Sequence, residues 1–206
     1  MPEIGFGSLL LRSVMAAVIA YFLGSISFAY IVTKLKTGKD IRQIGSGSAG
    51  TTNTARAVGK PLAALVMVLD MLKGYVSASL GVWLAAETGG LVALVFVILG
   101  HTFPVWLGFH GGKGVACGAG AVWALSPVIF GVAVLGFAVT VAATGYVSAG
   151  SICGCILVII SVLVLPEPAS YRILYFVMAA TVLILHRANI KRLLNGTESK
   201  TFHNKK

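Results

Sequence analysis

The sequence predicts an all-α, polytopic integral membrane protein. It reads as one membrane-embedded domain over residues 1–206, ending in a basic tail at 194–206. Three observations predict this. Hydrophobic residues are 57% of the chain, and mean hydropathy is +0.93. Charged residues are only 11%, with no polar block long enough for a second domain. Apolar runs recur at about the 20 residues that a helix needs to cross a bilayer.

In chain order, the first apolar run covers 9–32 and is interrupted by Gly24-Ser25-Ile26-Ser27, which predicts a kink. A polar, basic stretch follows at 34–60. Pro61 opens a second span that reaches about residue 86. Thr88-Gly89-Gly90 predicts a turn, and a third span covers 91–107. The loop 108–114 precedes an apolar tract, 115–165. Breaks at Ser126-Pro127 and Gly145-Tyr146 divide that tract into helices at 115–125, 128–144 and 147–165. Pro166-Glu167-Pro168 ends the third, and 171–185 is the last span. The total is seven crossings, or five if the short segments do not cross.

Charge orients this arrangement. With the N-terminus outside and the C-terminus cytoplasmic, all but three of the 16 basic residues fall in inside loops or the tail. The exceptions are Arg12 and Arg172, toward the outside, and Lys73, within a span. Glu3, Glu87 and Glu167 fall outside. The net charge of +10 is therefore read as topology and anion binding, and no nucleic-acid partner is expected. With Glu3, a single base, Arg12, and no clear small-residue cleavage site, no leader peptide is expected. Cys117, Cys153 and Cys155 lie in apolar segments and read as packing residues. Cys153-Gly154-Cys155 is not a usual zinc spacing, and neither metal nor cofactor is expected.

The polar loops carry the functional signal. Gly45-Ser46-Gly47-Ser48-Ala49-Gly50-Thr51-Thr52-Asn53 offers backbone N–H groups and hydroxyls suited to an anion such as phosphate. Its Gly-x-Gly-x-x-Gly spacing matches a dinucleotide fingerprint, and Asp70 stands 20 residues beyond Gly50. The preceding 34–43 is charged rather than a buried strand, however, so that reading fails. Arg56 is spaced to return toward the loop, where a guanidinium can grip phosphate through two hydrogen bonds. Gly111-Gly112-Lys113-Gly114 is not a Walker loop, because Leu107 stands where a glycine is needed and Gly114 where serine or threonine is needed. It still places glycine amides and one cation at a helix start, which suits phosphate. Asp70 and Lys73, at i,i+3, read as a structural pair, with a role in orienting the site as the alternative. His101 reads as a packed histidine. His186 and Asn189 share a helix face at the inner end of the last span. Ser148 and Ser151 place hydroxyls at another inner helix entry.

Together these pieces resemble the bacterial acyl-phosphate:glycerol-3-phosphate acyltransferase family, over nearly the whole chain. The resemblance includes Gly24-Ser25-Ile26, the first loop through Arg56, Leu69-Asp70, Leu72-Lys73-Gly74 and Gly100-His101 through Val115. It continues with Tyr146-Val147-Ser148, His186-Arg187-x-Asn189-Ile190 and Arg192 through Glu198. It implies a bacterial plasma-membrane enzyme of phospholipid synthesis, with its active site on the cytoplasmic side. The implied reaction moves an acyl group from acyl phosphate to the 1-hydroxyl of glycerol 3-phosphate, giving lysophosphatidic acid and phosphate.

The implied partners are these two substrates, the lipid bilayer and a functional link to the enzyme that makes acyl phosphate. Ser46, Arg56, His186 and Asn189 would be catalytic. Gly45, Gly47, Ser48, Thr51, Thr52, Asn53, Gly111, Gly112, Lys113, Gly114, Ser148 and Ser151 would bind substrate, and Glu198 would be a structural glutamate. Ser48 stands where the family usually has asparagine, and Ala188 where an acid is usual. The rival class is a transporter of a phosphorylated solute. A carrier places its site near the midplane, often between internal repeats, whereas here the polar motifs gather on one face and no repeat is visible.

Overall fold

The computed structural model describes residues 6–200; Glu3, Lys205 and Lys206 lie outside them. Every regular element among the described residues is helical. Two compact units divide the chain after Leu125.

The first unit opens with α1 (Phe6–Ser25) and α2 (Phe28–Thr37). The break between them falls at the small polar patch that predicts a kink. Ser27 caps α2 by accepting the Tyr30 amide at 3.3 Å, and Gly38 ends it at φ 71°. Next come α3 (Thr51–Val58), α4 (Lys60–Thr102) and α5 (Val115–Leu125). α4 is continuous only in its hydrogen bonding. Ala85 and Ala86 leave helical geometry, Ala86 at φ 48°. Gly81 and Gly89 then lie so close that a Cβ on either would strike the other's carbonyl oxygen. Residues eight apart on one straight helix are about 12 Å apart, so α4 doubles back on itself.

The reversal therefore falls a few residues before the predicted Thr88-Gly89-Gly90 turn. Gly89 and Gly90 serve the close approach of the two limbs rather than the turn itself. Small residues seat the remaining helices in the same way. Gly24 of α1 lies against Val97, and Gly100 against Tyr21. Gly74 lies against Cys117 of α5, and Gly120 against Met71. These antiparallel contacts bring the loops at 38–59 and 103–114 to the same end of the unit.

The second unit comprises α6 (Pro127–Thr144), α7 (Val147–Val164), α8 (Ala169–Leu185) and α9 (Arg187–Leu194). α8 and α9 are bent by 55°. Gly150 packs on Phe137 and Val141, which closes α6 onto α7. α6 buries only Ile129. Its outward Val128, Leu135 and Val139, like Trp83 and Val18 in the first unit, face the surroundings. Such an apolar exterior suits lipid as the solvent.

Length and composition mark four stretches able to cross a membrane: Phe6–Thr37, Lys60–Leu107, Pro127–Thr144 and Val147–Val164. The bent pair α8–α9 makes a fifth. The reversal divides Lys60–Leu107 into two limbs. α5 rises only about 16 Å, roughly half the hydrocarbon thickness.

Candidate active site

In the first unit the serine-glycine loop is built around Asn53. That side chain is 2% exposed. Its Oδ1 accepts the Ser46 amide at 3.0 Å, and its Nδ2 donates to the Ile41 and Ile44 carbonyls at 3.1 and 2.8 Å. Gly45 (φ 56°) and Gly47 (φ 72°) supply the left-handed backbone that folds the loop back on this amide. A Cβ on Gly45 would strike Asn53 Oδ1 and lie 3.5 Å from Arg56 Cδ. Arg56, on the last turn of α3, therefore lies against the loop, as its spacing suggests. Ser46 is exposed, Ser48 half-buried, and Thr51 and Thr52 form the half-buried first turn of α3. Thr54, buried, returns its hydroxyl to the Gly50 carbonyl at 3.1 Å.

The second loop is fastened to the first. The Ala49 amide donates to the Gly111 carbonyl at 3.3 Å. Arg42 donates to the Leu107 carbonyl at 2.6 Å while its guanidinium grips Asp40. That pairing holds the Asp40 carboxyl below its ordinary value. Sequence reasoning gives Arg42 only its place among the inside basic residues and misses Asp40; an acid two residues before an arginine, just past the Gly38 cap, is the signal that could have found the pair.

The amides of Gly111 and Gly112 donate to the Thr102 and His101 carbonyls at 3.1 and 3.0 Å. They are thus committed to backbone rather than offered to an anion. A Cβ at Gly111 would strike the His101 carbonyl, and one at Gly112 the His101 ring. These glycines permit close approach. Lys113 follows them, half-buried, and Gly114 (φ 80°) turns the chain into α5.

Beneath the loops Lys73 pairs with Asp70 at 2.8 Å, both almost wholly buried. Asp70 Oδ1 also faces His101 Nδ1 at 3.7 Å. Lys73 Nζ donates to the Ile26 carbonyl at 2.6 Å, inside the α1–α2 break.

The second unit gathers its own polar cluster. Glu198 is buried and accepts from Ser148 Oγ at 3.2 Å, Asn189 Nδ2 at 3.0 Å and Arg192 Nε at 2.6 Å. Burial acts to raise the Glu198 carboxyl, but the bonds from Arg192, Asn189 and Ser148 hold it below its ordinary value. The tail is thereby pinned to the starts of α7 and α9. Ser151 is also buried, and its hydroxyl turns back to the Val147 carbonyl at 3.0 Å. His186 stands at the α8–α9 bend, 3% exposed, with Nδ1 2.8 Å from the Val182 carbonyl. A carbonyl only accepts, so in this contact Nδ1 carries a proton.

The family model described as glycerol-3-phosphate acyltransferase matches residues 14–196. The chain belongs to the glycerol-3-phosphate acyltransferase family. A glycerol-3-phosphate acyltransferase of a Thermoanaerobacter species is 43% identical over 189 residues, covering 91% of this chain and 95% of that protein. The Clostridioides difficile enzyme of the same name is 43% identical over 193 residues, covering 91% and 94%.

Two crystal structures of PlsY, an integral membrane glycerol 3-phosphate acyltransferase, share the fold. Its glycerol 3-phosphate form has a TM-score of 0.86 at 37% identity, covering 91% of this chain and 94% of that one. Its lysophosphatidic acid form has a TM-score of 0.82 at 35% identity, with the same coverage. This family member is accordingly an integral membrane acyltransferase of phospholipid synthesis.

Proposed function

We propose that the protein transfers an acyl group from acyl phosphate to the 1-hydroxyl of glycerol 3-phosphate, on the cytoplasmic face of a bacterial plasma membrane. One observation carries the reading. The loop that bears Ser46 and Arg56 and the loop that bears Lys113 are joined at Ala49 and Gly111, at one end of the first unit. The relatives' glycerol 3-phosphate and lysophosphatidic acid forms support the substrate and product. The clustering of basic residues in the loops supports the cytoplasmic face.

In this scheme Lys113 and Arg56 hold phosphates and offset developing negative charge. Ser46 orients a reacting oxygen, while Gly45, Gly47, Ser48, Thr51 and Thr52 line the loop. Asn53, spent on the loop backbone, acts by holding Ser46 in place. Gly111, Gly112 and Gly114 act likewise by setting the position of Lys113. Ser148, Ser151, Asn189 and Glu198 fix the start of α7 and the tail beside His186.

The donor is a mixed anhydride, so no covalent enzyme intermediate is required. The 1-hydroxyl oxygen bonds to the acyl carbon, the bond from that carbon to the phosphate oxygen breaks, and inorganic phosphate leaves. The hydroxyl proton goes to a phosphate oxygen of the donor or to His186. Holding both substrates in register supplies much of the acceleration.

The test gives purified protein acyl phosphate and glycerol 3-phosphate. Equal amounts of lysophosphatidic acid and phosphate are expected. Parallel reactions with acyl-CoA and acyl carrier protein substrates test the donor. No product, with uptake of a phosphorylated solute into liposomes instead, would turn the reading to a carrier.

A further inference from the structure

Lys73, Asp70 and His101 form a buried polar group that the scheme above does not use. Ionisable groups within a membrane domain are costly, and a pair serving stability alone can often be replaced by apolar residues without loss. This group has a more particular arrangement. At one end Lys73 Nζ reaches the Ile26 carbonyl, at 2.6 Å, in the break between α1 and α2. In the middle Asp70 faces Lys73 at 2.8 Å and His101 at 3.7 Å.

At the other end His101 meets Gly112 twice. Its carbonyl accepts the Gly112 amide at 3.0 Å, and its Nε2 fills the place a Cβ would take on Gly112. The Ala49 carbonyl oxygen also borders that place, at 2.9 Å. Gly112 is thus clamped against the His101 ring and the Ala49 carbonyl, one residue before Lys113.

We propose that His101, braced by Asp70 and Lys73, is a positioning residue that sets Lys113 for the phosphate of glycerol 3-phosphate. This rests on the assignment of Lys113 as a phosphate ligand. The group ties three non-helical pieces together: the α1–α2 break, the lysine loop and, through Ala49, the serine loop. Its effect falls on acceptor binding, because the residue it seats is adjacent to Lys113. Donor binding is left largely unchanged.

The experiment varies both substrates in steady-state assays of the full-length enzyme, with melting temperature recorded for each variant. His101→Asn and Asp70→Asn are expected to raise KM for glycerol 3-phosphate about tenfold or more, while KM for acyl phosphate moves by less than about twofold. The two effects should not multiply in the double variant, since both act through one clamp. Lys73→Arg, which keeps the charge, and His101→Gln, whose amide reaches the Nε2 position, should return KM most of the way.

An equal rise in both KM values overturns the proposal. So does an unchanged acceptor KM in variants that melt like wild type. Failure of every variant to fold, Lys73→Arg and His101→Gln included, would reduce the group to a stability role and overturn it as well. Lys113→Ala separates the two layers. If it leaves the acceptor KM unchanged, the underlying site assignment fails. If it raises that KM while the His101 variants do not, only the positioning role fails.

Discussion

The Asn53 side-chain oxygen accepts the backbone amide of Ser46 at 3.0 Å, across seven residues of chain. With its two donations to Ile41 and Ile44, this amide replaces the regular hydrogen bonding that a glycine-rich loop lacks. Asn53→Ala takes the partner of the half-buried Ser46 amide and one of the two bonds to each of the Ile41 and Ile44 carbonyls, and should destabilise the protein by about 1–3 kcal/mol. Turnover should fall further than stability alone predicts, because Ser46 loses its anchor. Thermal unfolding and kcat measured on the same preparation check this. A variant with wild-type kcat would show that the loop holds itself.

Ser46 and Lys113 should separate kinetically. Lys113→Ala should raise KM for glycerol 3-phosphate, whereas Ser46→Ala should mainly lower kcat, by about 100-fold if it orients the reacting oxygen. Steady-state kinetics with each substrate varied in turn provide the readout. Wild-type constants in both variants would remove the site map.

Two glycines should answer differently to the same methyl group. At Gly112 a Cβ would meet the His101 ring and the Ala49 carbonyl, whereas at Gly131 on α6 no atom lies within 4 Å. Gly112→Ala should cost activity about 100-fold, since about 1 Å of displacement at a site has that effect. Gly131→Ala should leave activity unchanged and melting equal or slightly higher. Initial rates and melting temperatures of the two variants decide.

Glu198 gives a pH prediction. Its carboxyl is held below the ordinary value when folded, so its contribution is present above the unfolded value of about 4.3 and fades as pH falls through the lower folded value. Glu198→Gln should therefore melt below wild type at pH 7, and the difference should shrink on acidification below about pH 4. Melting curves from pH 3 to 8 test it. A difference that grew on acidification would reverse the sign.

Much of the fold was legible because apolar length and small-residue breaks are local properties. The Gly24–Ser27 interruption and the breaks at Ser126-Pro127 and Gly145-Tyr146 follow directly from residue chemistry and fall where the helices divide. The reversal in α4 was displaced, because Gly89 and Gly90 look the same in sequence whether they turn a chain or let two limbs touch. The glycine-lysine loop was legible as a special backbone, but the partners of its amides were not. Thr102 and His101 lie about ten residues away in sequence, and only folding brings their carbonyls to Gly111 and Gly112.

The sequence by itself determined a helical membrane protein, the locations of its polar loops and, through ordered motifs, its family. These follow from hydropathy, charge bias and spacing, which need no third dimension. Tertiary structure alone decided that Asn53 is spent on Ser46 and the loop backbone. It also decided that Asn189 and Ser148 converge on Glu198, and that Asp70 and Lys73 lead through His101 to Gly112. The physical reason is that a buried polar group must find a partner wherever the fold supplies one, and that partner is set by packing across the chain rather than by its neighbours along it.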